Sequence, residues 1–459
     1  MALEASIFKA YDIRGIVDET LTEDGVRDIG RVLGTWALES GQDSVCVARD
    51  GRLSGERLAK ALMEGIAFAG MDVIDVGMVP TPVLYFATHY FKNGTGIAVT
   101  GSHNPSEYNG LKMVMGGLTL YGDKIQAIYE AVCAEAWNEA YEPGTIRQAD
   151  ALTPYIEKIL GSVHLKRPLR IAIDAGNGVA GPCAAKLFKG LGCEVTELYT
   201  EIDGTFPNHH PDPSKLANLE DLKALLKQAP YDVGLAFDGD GDRLGVVTQT
   251  GRVIFPDRQM MLFVADMLAR HPGSKIVYDV KCSRRLVSWI REHGGEPVIS
   301  PTGHSLVKRV LRETKAPLAG EMSGHLFFND ERWFGFDDGL YAGARLLEIL
   351  SGSTDPTALL ESLPDTYSTP ELQIPMTPEA VKAMIAHLRG YRFEGATDVI
   401  TIDGIRVEWA DGFALARASN TTPVLVLRLE SDTPEGLKRI AQTFAQALKA
   451  HDPSLNLPF

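Results

Sequence analysis

The stretch GIAVTGSHNP, residues 96–105, decides the fold class of this chain. Its small, apolar and β-branched residues predict a short buried strand over Ile97–Val99. Gly101 then allows a sharp turn of the backbone, so Ser102 is expected to stand exposed at the carboxyl end of the strand. Open α/β sheets place their chemistry at that end. A polar turn without function has a similar composition, so this stretch alone leaves both interpretations open.

The pattern around this stretch occurs three times along the chain. In each copy a strand that ends in Asp precedes a helix, and a glycine opens a second strand. The copies are Val45–Asp50 with Gly70–Val76, Ile171–Asp174 with Gly192–Val195, and Ile276–Asp279 with Gly294–Ile299. Each copy continues to a third strand with a polar, glycine-rich end, namely Ile97–Val99, Val233–Phe237 and Leu318–Ala319. The predicted fold class is therefore α/β, with three similar domains that have mixed sheets and present one polar loop each.

The residues after Leu363–Pro370 follow a different pattern. Short strands are predicted over residues 399–402, 405–409, 413–416 and 424–429. Asp403-Gly404 and Asp411-Gly412 are hairpin signals, and a closing helix has Thr433 as its N-cap. We therefore predict a C-terminal α+β domain with antiparallel strands. Its loop Arg417–Pro423 holds one cation and several hydroxyl and amide groups, a composition suited to a phosphate.

Domain boundaries fall where the strand and helix patterns lapse. The predicted domains are residues 1–150, 151–252, 253–366 and 367–459. Within the first domain, Thr22 and Ser54 are predicted to cap helices. The fourth domain follows a single linker, so we expect it to move as a clamp through Arg417.

The composition is that of a globular protein without a basic face. The chain has 459 residues, 45% of them hydrophobic, and a formal net charge of −15. This charge argues against general affinity for nucleic acid or an anionic membrane. Five widely spaced cysteines without a C-x-x-C pair are expected to be reduced. No apolar run is long enough for a membrane span and the first residues do not resemble a signal peptide, so we expect a cytoplasmic protein.

Three aspartates alternate with glycines after the predicted strand Val233–Phe237, namely Asp238, Asp240 and Asp242. Carboxylates so close repel one another unless a cation lies among them, and hard oxygen ligands suit Mg²⁺. The same repulsion predicts that removing one carboxylate slightly stabilises the metal-free protein. A solvated acidic turn is the simpler alternative. An EF-hand calcium loop is excluded, because it would need glycine in place of Arg243 and glutamate in place of Gln249.

Other polar residues form weaker patterns. Glu321, Ser323 and His325 fall at every second position, which suits recognition of sugar hydroxyls beside a titratable imidazole. An anionic ligand of so acidic a chain would need local cations, for which the candidates are Arg14, Lys112, Lys281 and His304. Each of these residues has an ordinary structural or surface role as its alternative. Residues 208–213, NHHPDP, lack metal-ligand spacing, and we interpret them as a rigid loop.

Five motifs together resemble the α-D-phosphohexomutase family, most closely its bacterial phosphomannomutase/phosphoglucomutase branch. They are Lys9–Gly15, Thr100–Pro105, Asp238–Arg243, Gly320–His325 and Arg417–Pro423, in the family's order over the whole chain. The resemblance implies four domains around a central cleft that receives one loop from each. It also implies reversible phosphoryl transfer between O1 and O6 of mannose and glucose phosphates, through a phosphoserine and a 1,6-bisphosphate.

The resemblance also implies roles for individual residues. Catalytic roles are expected for Ser102 as the phosphoryl carrier, for His325 and Lys112 as general base and acid, and for Arg243 and Arg14. One Mg²⁺ per chain would be held by Ser102, Asp238, Asp240 and Asp242. Substrate contacts are expected from Tyr11, His103, Lys281, Thr302, Gly303, His304, Glu321, Ser323, Arg417, Ser419, Asn420 and Thr421.

The expected partners are small hexose phosphates, with glucose or mannose 1,6-bisphosphate as activator. We expect a monomer that binds neither nucleic acid nor membrane. Phosphoglucosamine mutase is a rival that Met322 disfavours, since that branch usually has another residue there. A phosphatase is a second alternative, although it would have little use for a second phosphate site. A third alternative is a non-catalytic sugar-phosphate sensor, which would bind its ligand without turnover.

Overall fold

The computed structural model describes residues 3–420 and 422–459, and its strands form four β-sheets. The chain divides into two compact units. The first unit is the chain up to Phe263 together with Ser323–Ser362, and the second is Val264–Met322 together with Leu363–Phe459. Within the same described residues, no helix combines the length and the apolar character that a membrane span requires.

The first unit begins with a mixed sheet. Its strands are β1 (Ile13–Ile16), β2 (Val45–Arg49), β3 (Val73–Met78), β4 (Gly96–Val99), β5 (Tyr108–Met115), β6 (Leu118–Thr119) and β7 (Ile146–Gln148). They lie in the order β1-β5-β4-β2-β3-β7, with β6 paired to β5. Strands β4, β2, β3 and β7 run parallel, whereas β5 is antiparallel to β4, β1 and β6. The helices are a 3₁₀ helix (Ala5–Ile7), α1 (Glu23–Glu39), α2 (Gly55–Phe68), α3 (Thr81–Tyr90) and α4 (Asp123–Cys133).

Helices α1 and α2 approach each other closely because glycine lies where they meet. A Cβ atom on Gly65 would lie 2.0 Å from the carbonyl oxygen of Arg27. Thr22 caps α1 as predicted, since its side chain accepts a hydrogen bond from the amide three residues on. The corresponding prediction for Ser54 is wrong. Its dihedral angles are helical and it makes no capping bond, because its hydroxyl accepts from Asn109 Nδ2 instead.

A second mixed sheet in the first unit confirms the second copy of the predicted pattern. Its strands are β8 (Arg170–Asp174), β9 (Glu194–Leu198), β10 (Val233–Phe237), β11 (Leu244–Val247) and β12 (Val253–Ile254), in the order β12-β11-β10-β8-β9. Strands β9, β8 and β10 are parallel, and β11 and β12 continue the sheet antiparallel. The helices are α5 (Leu152–Leu160), α6 (Ala180–Gly190), a 3₁₀ helix (Leu216–Leu219), α7 (Glu220–Leu226) and α8 (Pro256–Arg270).

The second unit begins within α8 and contains the third copy. This copy comprises β13 (Lys275–Asp279), α9 (Arg284–Glu292), β14 (Glu296–Ser300), α10 (His304–Thr314) and β15 (Leu318–Gly320). Strands β14 and β15 both pair with β13 in parallel, as the pattern predicts. The chain then re-enters the first unit, with β16 (Leu326–Phe328), α11 (Gly339–Leu350) and α12 (Pro356–Glu361).

The last part of the chain is an antiparallel sheet with two helices, which confirms the predicted α+β architecture. The elements are β17 (Tyr367–Ser368), β18 (Leu372–Pro375), α13 (Pro378–Gly390), β19 (Asp398–Ile400), β20 (Ile405–Trp409), β21 (Gly412–Ala418), β22 (Val424–Ser431) and α14 (Pro434–His451). The sheet order is β17-β22-β21-β20-β19, with β18 also paired to β22. Asp403-Gly404 lies within the turn between β19 and β20, and Thr433 caps α14, both as predicted.

The hairpin between β20 and β21 turns one residue earlier than predicted. Trp409 pairs with Gly412, so the turn is Ala410–Asp411 and Gly412 already belongs to the strand. Glycine is required there for another reason. A Cβ atom on Gly412 would lie 2.1 Å from the carbonyl oxygen of Glu430 on the neighbouring strand.

Buried polar contacts join the loop after β13 to this antiparallel sheet. Arg406 on β20 is 1% exposed and donates to the carbonyl oxygens of Val280 at 2.6 Å and Cys282 at 2.7 Å. Ser283 Oγ donates to Glu430 Oε1 at 2.7 Å. Separating such buried charged groups from their partners is strongly destabilising. These contacts favour motion of the terminal sheet together with the loop after β13, and the expectation that the fourth domain moves as a clamp on its linker stays a prediction.

Candidate active site

Ser102 lies in the turn after β4, close to the aspartates that follow β10. Its Oγ atom is 3.2 Å from Asp238 Oδ2 and 3.1 Å from His103 Nδ1. One detail differs from the sequence prediction, since Ser102 is 2% exposed rather than exposed. Ser102 itself has a left-handed backbone conformation, with φ of 50°. Such a conformation costs a non-glycine residue about 1–3 kcal/mol and persists where neighbouring contacts fix it.

Two of the three predicted aspartates pair with the buried ammonium group of Lys112. This lysine lies on β5, opposite β4, and its Nζ is 2.7 Å from Asp240 Oδ2 and 2.5 Å from Asp242 Oδ2. Thr81, at the start of α3, donates its hydroxyl to Asp240 Oδ2 at 2.6 Å. These partners explain how three carboxylates are accommodated in one buried loop.

Burial and pairing shift the pKa values of this cluster in different directions. Burial, together with the charges of Asp242 and Asp240, raises the pKa of Asp238 well above its ordinary value. Burial also acts to raise the pKa of Asp240, but the Lys112 ammonium outweighs it and holds that pKa below its ordinary value. Burial acts to lower the pKa of Lys112, and the attraction of the aspartates raises it above its ordinary value. Lys112 is therefore held in the protonated form that a general acid requires.

The acidic cluster also has the donors for a divalent cation. Asp238, Asp240 and Asp242 are completely buried, and one carboxylate oxygen from each lies within 4.8 Å of the others. Among the described residues, Asp240 Oδ1 and Asp242 Oδ1 have no hydrogen-bond partner. Buried carboxylate oxygens without a partner are costly, and they are the hard ligands that Mg²⁺ prefers. These aspartates, with Ser102 Oγ beside Asp238, fit the predicted metal site.

A bridge between Arg243 and His325 brings the imidazole to the edge of the acidic cluster. Arg243 Nε donates to His325 Nε2 at 3.1 Å, and His325 Nδ1 is 3.6 Å from Asp242 Oδ1. Asp337 Oδ2 lies 3.1 Å from the same Nδ1 atom. Sequence reasoning missed Asp337, which belongs to no motif. The two predicted acid–base residues thus lie near different oxygens of the same aspartate, with Lys112 Nζ hydrogen-bonded to Asp242 Oδ2 and His325 Nδ1 3.6 Å from Asp242 Oδ1.

Arg14 and His103, two of the predicted site residues, both lie at the Ser102 turn. Arg14 on β1 donates to the carbonyl oxygen of Gly101 at 2.9 Å and also contacts Asn104 Oδ1. Tyr11, partly buried, precedes β1 in the same motif. Burial lowers the pKa of His103 well below its ordinary value, so this imidazole is neutral beside Ser102.

Residues 208–213 contact both the Ser102 turn and the aspartate loop, the former through His210 Nε2 and the carbonyl oxygen of His103. His209 Nε2 is 3.0 Å from Asp174 Oδ2, at the end of β8. Gly239, in the aspartate loop, donates its amide to the carbonyl oxygen of Pro211 at 3.2 Å. These contacts support the predicted rigid loop.

In the second unit, three predicted substrate-binding residues, Thr302, Gly303 and Glu321, lie close to Asp279 and Asp403. Thr302 Oγ1 donates to Asp279 Oδ2 at 2.8 Å, and its amide donates to Asp403 Oδ2 at 2.9 Å. The amide of Gly303 donates to Glu321 Oε1 at 2.5 Å. Sequence reasoning did not assign Asp279 or Asp403 to the site, although it noted the first as a strand end and the second as a turn residue.

Three predicted cations also lie in the second unit. Arg417 Nε is 2.9 Å from Asp403 Oδ2, and Lys281 Nζ is 3.1 Å from Glu371 Oε2. His304 is buried in the first turn of α10. Across residues 3–420 and 422–459, Arg417 Nη2 is buried without a hydrogen-bond partner. A guanidinium with a buried donor to spare is suited to an oxyanion ligand.

The other predicted substrate-binding residues near Arg417 differ in position from the predicted loop or are only partly described. Arg417 lies in β21 rather than in the loop, because pairing with β22 continues to Ala418. Ser419 and Asn420 follow the strand and are partly exposed. Thr421 lies outside the described residues, and Ser323 belongs to the first unit.

Four family models match consecutive parts of the chain. Their descriptions are phosphoglucomutase/phosphomannomutase, alpha/beta/alpha domain I over residues 5–139, domain II over residues 153–251 and domain III over residues 255–367. The fourth is the phosphoglucomutase/phosphomannomutase C-terminal domain, over residues 370–447. The matches occur in the order in which the motifs occur in the sequence.

Individual relatives are similar over the full length. A phosphoglucomutase of Neisseria gonorrhoeae is 54% identical over 98% of both chains. A phosphomannomutase/phosphoglucomutase of Pseudomonas aeruginosa is 51% identical over 100% of this chain and 98% of its own. The crystal structure of a phosphoglucomutase/phosphomannomutase family protein from Burkholderia thailandensis superposes with a TM-score of 0.95, at 55% identity and 100% coverage of both chains. The chain therefore belongs to the phosphoglucomutase/phosphomannomutase family.

Proposed function

We propose that this chain is a reversible mutase that moves a phosphoryl group between O1 and O6 of mannose and glucose phosphates, with Ser102 as the phosphoryl carrier. The observation that carries the proposal is the position of Ser102 Oγ, 3.2 Å from Asp238 in a buried acidic cluster that fits a divalent cation. A cation in such a cluster balances the charge of a phosphorylated serine. Membership of the family supports the reaction class.

The reaction takes two phosphoryl transfers. In the first, the bond between Ser102 Oγ and phosphorus breaks, and phosphorus bonds to the free hydroxyl oxygen of a hexose monophosphate. His325 accepts the proton of that hydroxyl, and Lys112 gives a proton to the departing serine oxygen. The resulting 1,6-bisphosphate reverses its orientation within the site. Its other phosphoryl group then returns to Ser102 with the proton transfers reversed.

The remaining predicted residues bind the ion and the two ends of the substrate. One Mg²⁺ per chain would be held by Ser102, Asp238, Asp240 and Asp242. When bound, the ion would neutralise negative charge on the transferring group. Glu321 and Ser323 are proposed to bind sugar hydroxyls, and Arg417 the phosphate that is not transferred. Further substrate contacts are proposed for Tyr11, His103, Lys281, Thr302, Gly303, His304, Ser419, Asn420 and Thr421.

The proposed cycle starts from a phosphorylated Ser102, so the enzyme needs a source of that phosphoryl group. Glucose or mannose 1,6-bisphosphate is the proposed activator, because it can restore the phosphoryl group to Ser102. We also propose that the enzyme acts as a monomer in the cytoplasm. All five cysteines are free thiols, which suits a reducing compartment.

A coupled assay tests the proposed function directly. Mannose 1-phosphate, glucose 1-phosphate and glucosamine 1-phosphate are supplied separately, each with its own 1,6-bisphosphate. We expect conversion of the first two to their 6-phosphates. Release of inorganic phosphate without isomerisation would identify a phosphatase, and binding without turnover a sensor. Preferential conversion of glucosamine 1-phosphate would identify the amino-sugar branch.

Replacing His325 tests the proton transfer. His325→Ala is expected to lower kcat by about 10²–10⁴-fold, the usual contribution of a general base, while binding of the sugar phosphate is largely kept. Steady-state kinetics with both epimers measures the two effects separately. His164→Ala, at an exposed position of the first unit, is the control. If kcat is kept and KM rises, His325 binds substrate and is not the base.

Replacing Arg417 tests the phosphate contact. Loss of a charge-assisted hydrogen-bond pair costs roughly 1.5–3 kcal/mol, so Arg417→Ala should weaken substrate binding about ten- to hundredfold. Mannose and glucose phosphates should be affected equally, because the phosphate is common to both. Calorimetric titration of each substrate measures the effect, and the exposed Arg392→Ala is the control. A changed preference between the epimers with unchanged phosphate affinity would place Arg417 among the residues that read the sugar.

A further inference from the structure

Asp50 and Arg52 lie beneath the turn that carries Ser102, and the reaction described above gives neither a role. Asp50 follows β2 and is 3% exposed, and Arg52 is 2% exposed. Their ion pair, with Arg52 Nε 3.2 Å from Asp50 Oδ2, is therefore almost completely removed from water. A buried ion pair is poor evidence for a stabilising role by itself, because its desolvation cost can exceed its attraction. What these side chains bind is more informative.

The Arg52 guanidinium binds the main chain of the Ser102 turn. Its Nη2 atom donates to the carbonyl oxygens of Ser102 at 2.9 Å and Asn104 at 2.6 Å. Its Nη1 atom donates to the carbonyl oxygen of Tyr108 at 2.9 Å and also contacts that of Pro105. One side chain thus fixes main-chain groups along the whole turn.

Asp50 fixes the other side of the same turn. Its Oδ2 atom accepts hydrogen bonds from Thr100 Oγ1 at 2.8 Å and from the amide of Gly101 at 3.1 Å. Thr100 Oγ1 in turn accepts from the amide of Ser102 at 2.8 Å. Both main-chain polar groups of Ser102 are therefore bound by side chains, Thr100 and Arg52, that Asp50 connects.

We propose that Asp50, Thr100 and Arg52 are positioning residues that hold Ser102 in its left-handed conformation and thereby set the rate of both phosphoryl transfers. The proposal rests on the proposed function, since it concerns how fast Ser102 gives and takes the phosphoryl group. The direction of Oγ follows the φ of 50° at Ser102, an uncommon value for a residue with a side chain. The network binds the main chain of Ser102 rather than the substrate. It therefore acts on kcat more than on KM.

The second unit repeats the arrangement at the equivalent strand end. Asp279 is buried at the end of β13, where it accepts from Thr302 Oγ1 at 2.8 Å and from the amide of Met322 at 3.1 Å. In the first and third copies a buried aspartate at the same strand end binds a threonine hydroxyl and the amide of a functional loop, although the two threonines follow different strands of their copies. The recurrence supports a role in fixing loops rather than a coincidence of packing around Ser102.

Thr100→Val is the sharpest test, because it removes the hydroxyl and keeps the branched shape of the side chain. Displacing a reacting group by about 1 Å can reduce a rate by about 10²-fold. We therefore expect kcat to fall about 10- to 100-fold with little change in KM. Thr100→Ser keeps the hydroxyl and should restore most of the rate. Thr95→Val is the matched control, since Thr95 is buried just before the same strand and donates to Gln42 Oε1 at 2.9 Å.

Arg52→Lys tests the second half of the network. Lysine keeps the positive charge but lacks the planar fork that binds several carbonyl groups at once. We expect a loss of kcat at least as large as that of Thr100→Val. Circular dichroism and the melting temperature establish that each variant is folded. Thr100→Val remains decisive if Arg52→Lys fails to fold.

Single-turnover phosphorylation of Ser102 by glucose 1,6-bisphosphate, followed by mass spectrometry, separates the possible outcomes. Slow phosphorylation of Thr100→Val together with wild-type substrate affinity is the expected result. If Thr100→Val and folded Arg52→Lys transfer phosphate at the wild-type rate, the positioning role is overturned and the proposed function stands. If Ser102 of the wild-type protein takes up no phosphoryl group, the proposed function itself fails.

Discussion

Ser102→Ala is expected to abolish turnover almost completely, with kcat lower by about 10⁴- to 10⁶-fold. Alanine removes the oxygen to which phosphorus bonds in both half-reactions. The fold of the turn should survive the substitution, because Arg52 and Thr100 bind main-chain groups of Ser102 rather than its side chain. The loss of activity can therefore be attributed to the missing hydroxyl.

Intact-mass and peptide spectra after incubation with glucose 1,6-bisphosphate provide the second measurement. The wild-type protein should carry one phosphoryl group at Ser102, and Ser102→Ala should carry none. Ser106→Ala is the matched control, since Ser106 is an exposed serine in the same turn. Full turnover in Ser102→Ala would contradict the assignment of the carrier.

Removal of Mg²⁺ is expected to have the next largest effect. A metal ion that stabilises the charge on the transferring phosphoryl group lowers the activation barrier by several kcal/mol. Chelation should therefore lower kcat by about 10³-fold or more, and added Mg²⁺ should restore it. Asp240→Asn removes the charge of one proposed ligand and keeps its shape. We expect this variant to bind Mg²⁺ more weakly in a calorimetric titration and to need more Mg²⁺ for any remaining activity. An unchanged titration would remove Asp240 from the ligand set.

The stability of metal-free Asp240→Asn separates two views of the acidic loop. Charge repulsion alone predicts a more stable protein once one carboxylate is gone. The structure leads us to the opposite expectation, because Asp240 Oδ2 is bound by Lys112 and Thr81. Weakening these buried bonds should lower the free energy of unfolding by roughly 1–3 kcal/mol. Chemical denaturation without Mg²⁺ measures the free energy of unfolding of both proteins. Asp266→Asn is the control, since Asp266 is partly exposed.

The sequence predicts the strands of this fold well where composition decides them. Val233–Phe237 and Ile405–Trp409 are strands with the predicted bounds, because runs of apolar and β-branched residues end there in turn residues. Errors occur where contacts between strands determine the residue type. Gly412 is an example, because it allows the neighbouring strand to approach closely and is not a turn residue. The domain bounds 1–150, 151–252, 253–366 and 367–459 stay a prediction.

The residues proposed to react stand out in the sequence, whereas the residues that hold them do not. Ser102 and the aspartates lie in motifs whose chemistry is visible in the residue types. Arg52, Asp337 and Asp403 act on loops that are distant in sequence, and a tertiary contact leaves no local pattern. For the same reason the exposure of Ser102 was predicted wrongly, since a sequence shows where a strand ends but not what packs over its end.

The buried contacts of Arg406 and Glu430 with the loop Val280–Ser283 restrict how relatives can exchange parts. A chimera joined within residues 363–370 would set the terminal sheet of one parent against a loop from another. Arg406 would keep its carbonyl acceptors only if that loop had the same path, and Glu430 would need a serine hydroxyl at the same place. Recombination should therefore yield folded progeny when Val264–Met322 and Leu363–Phe459 are inherited from a single parent.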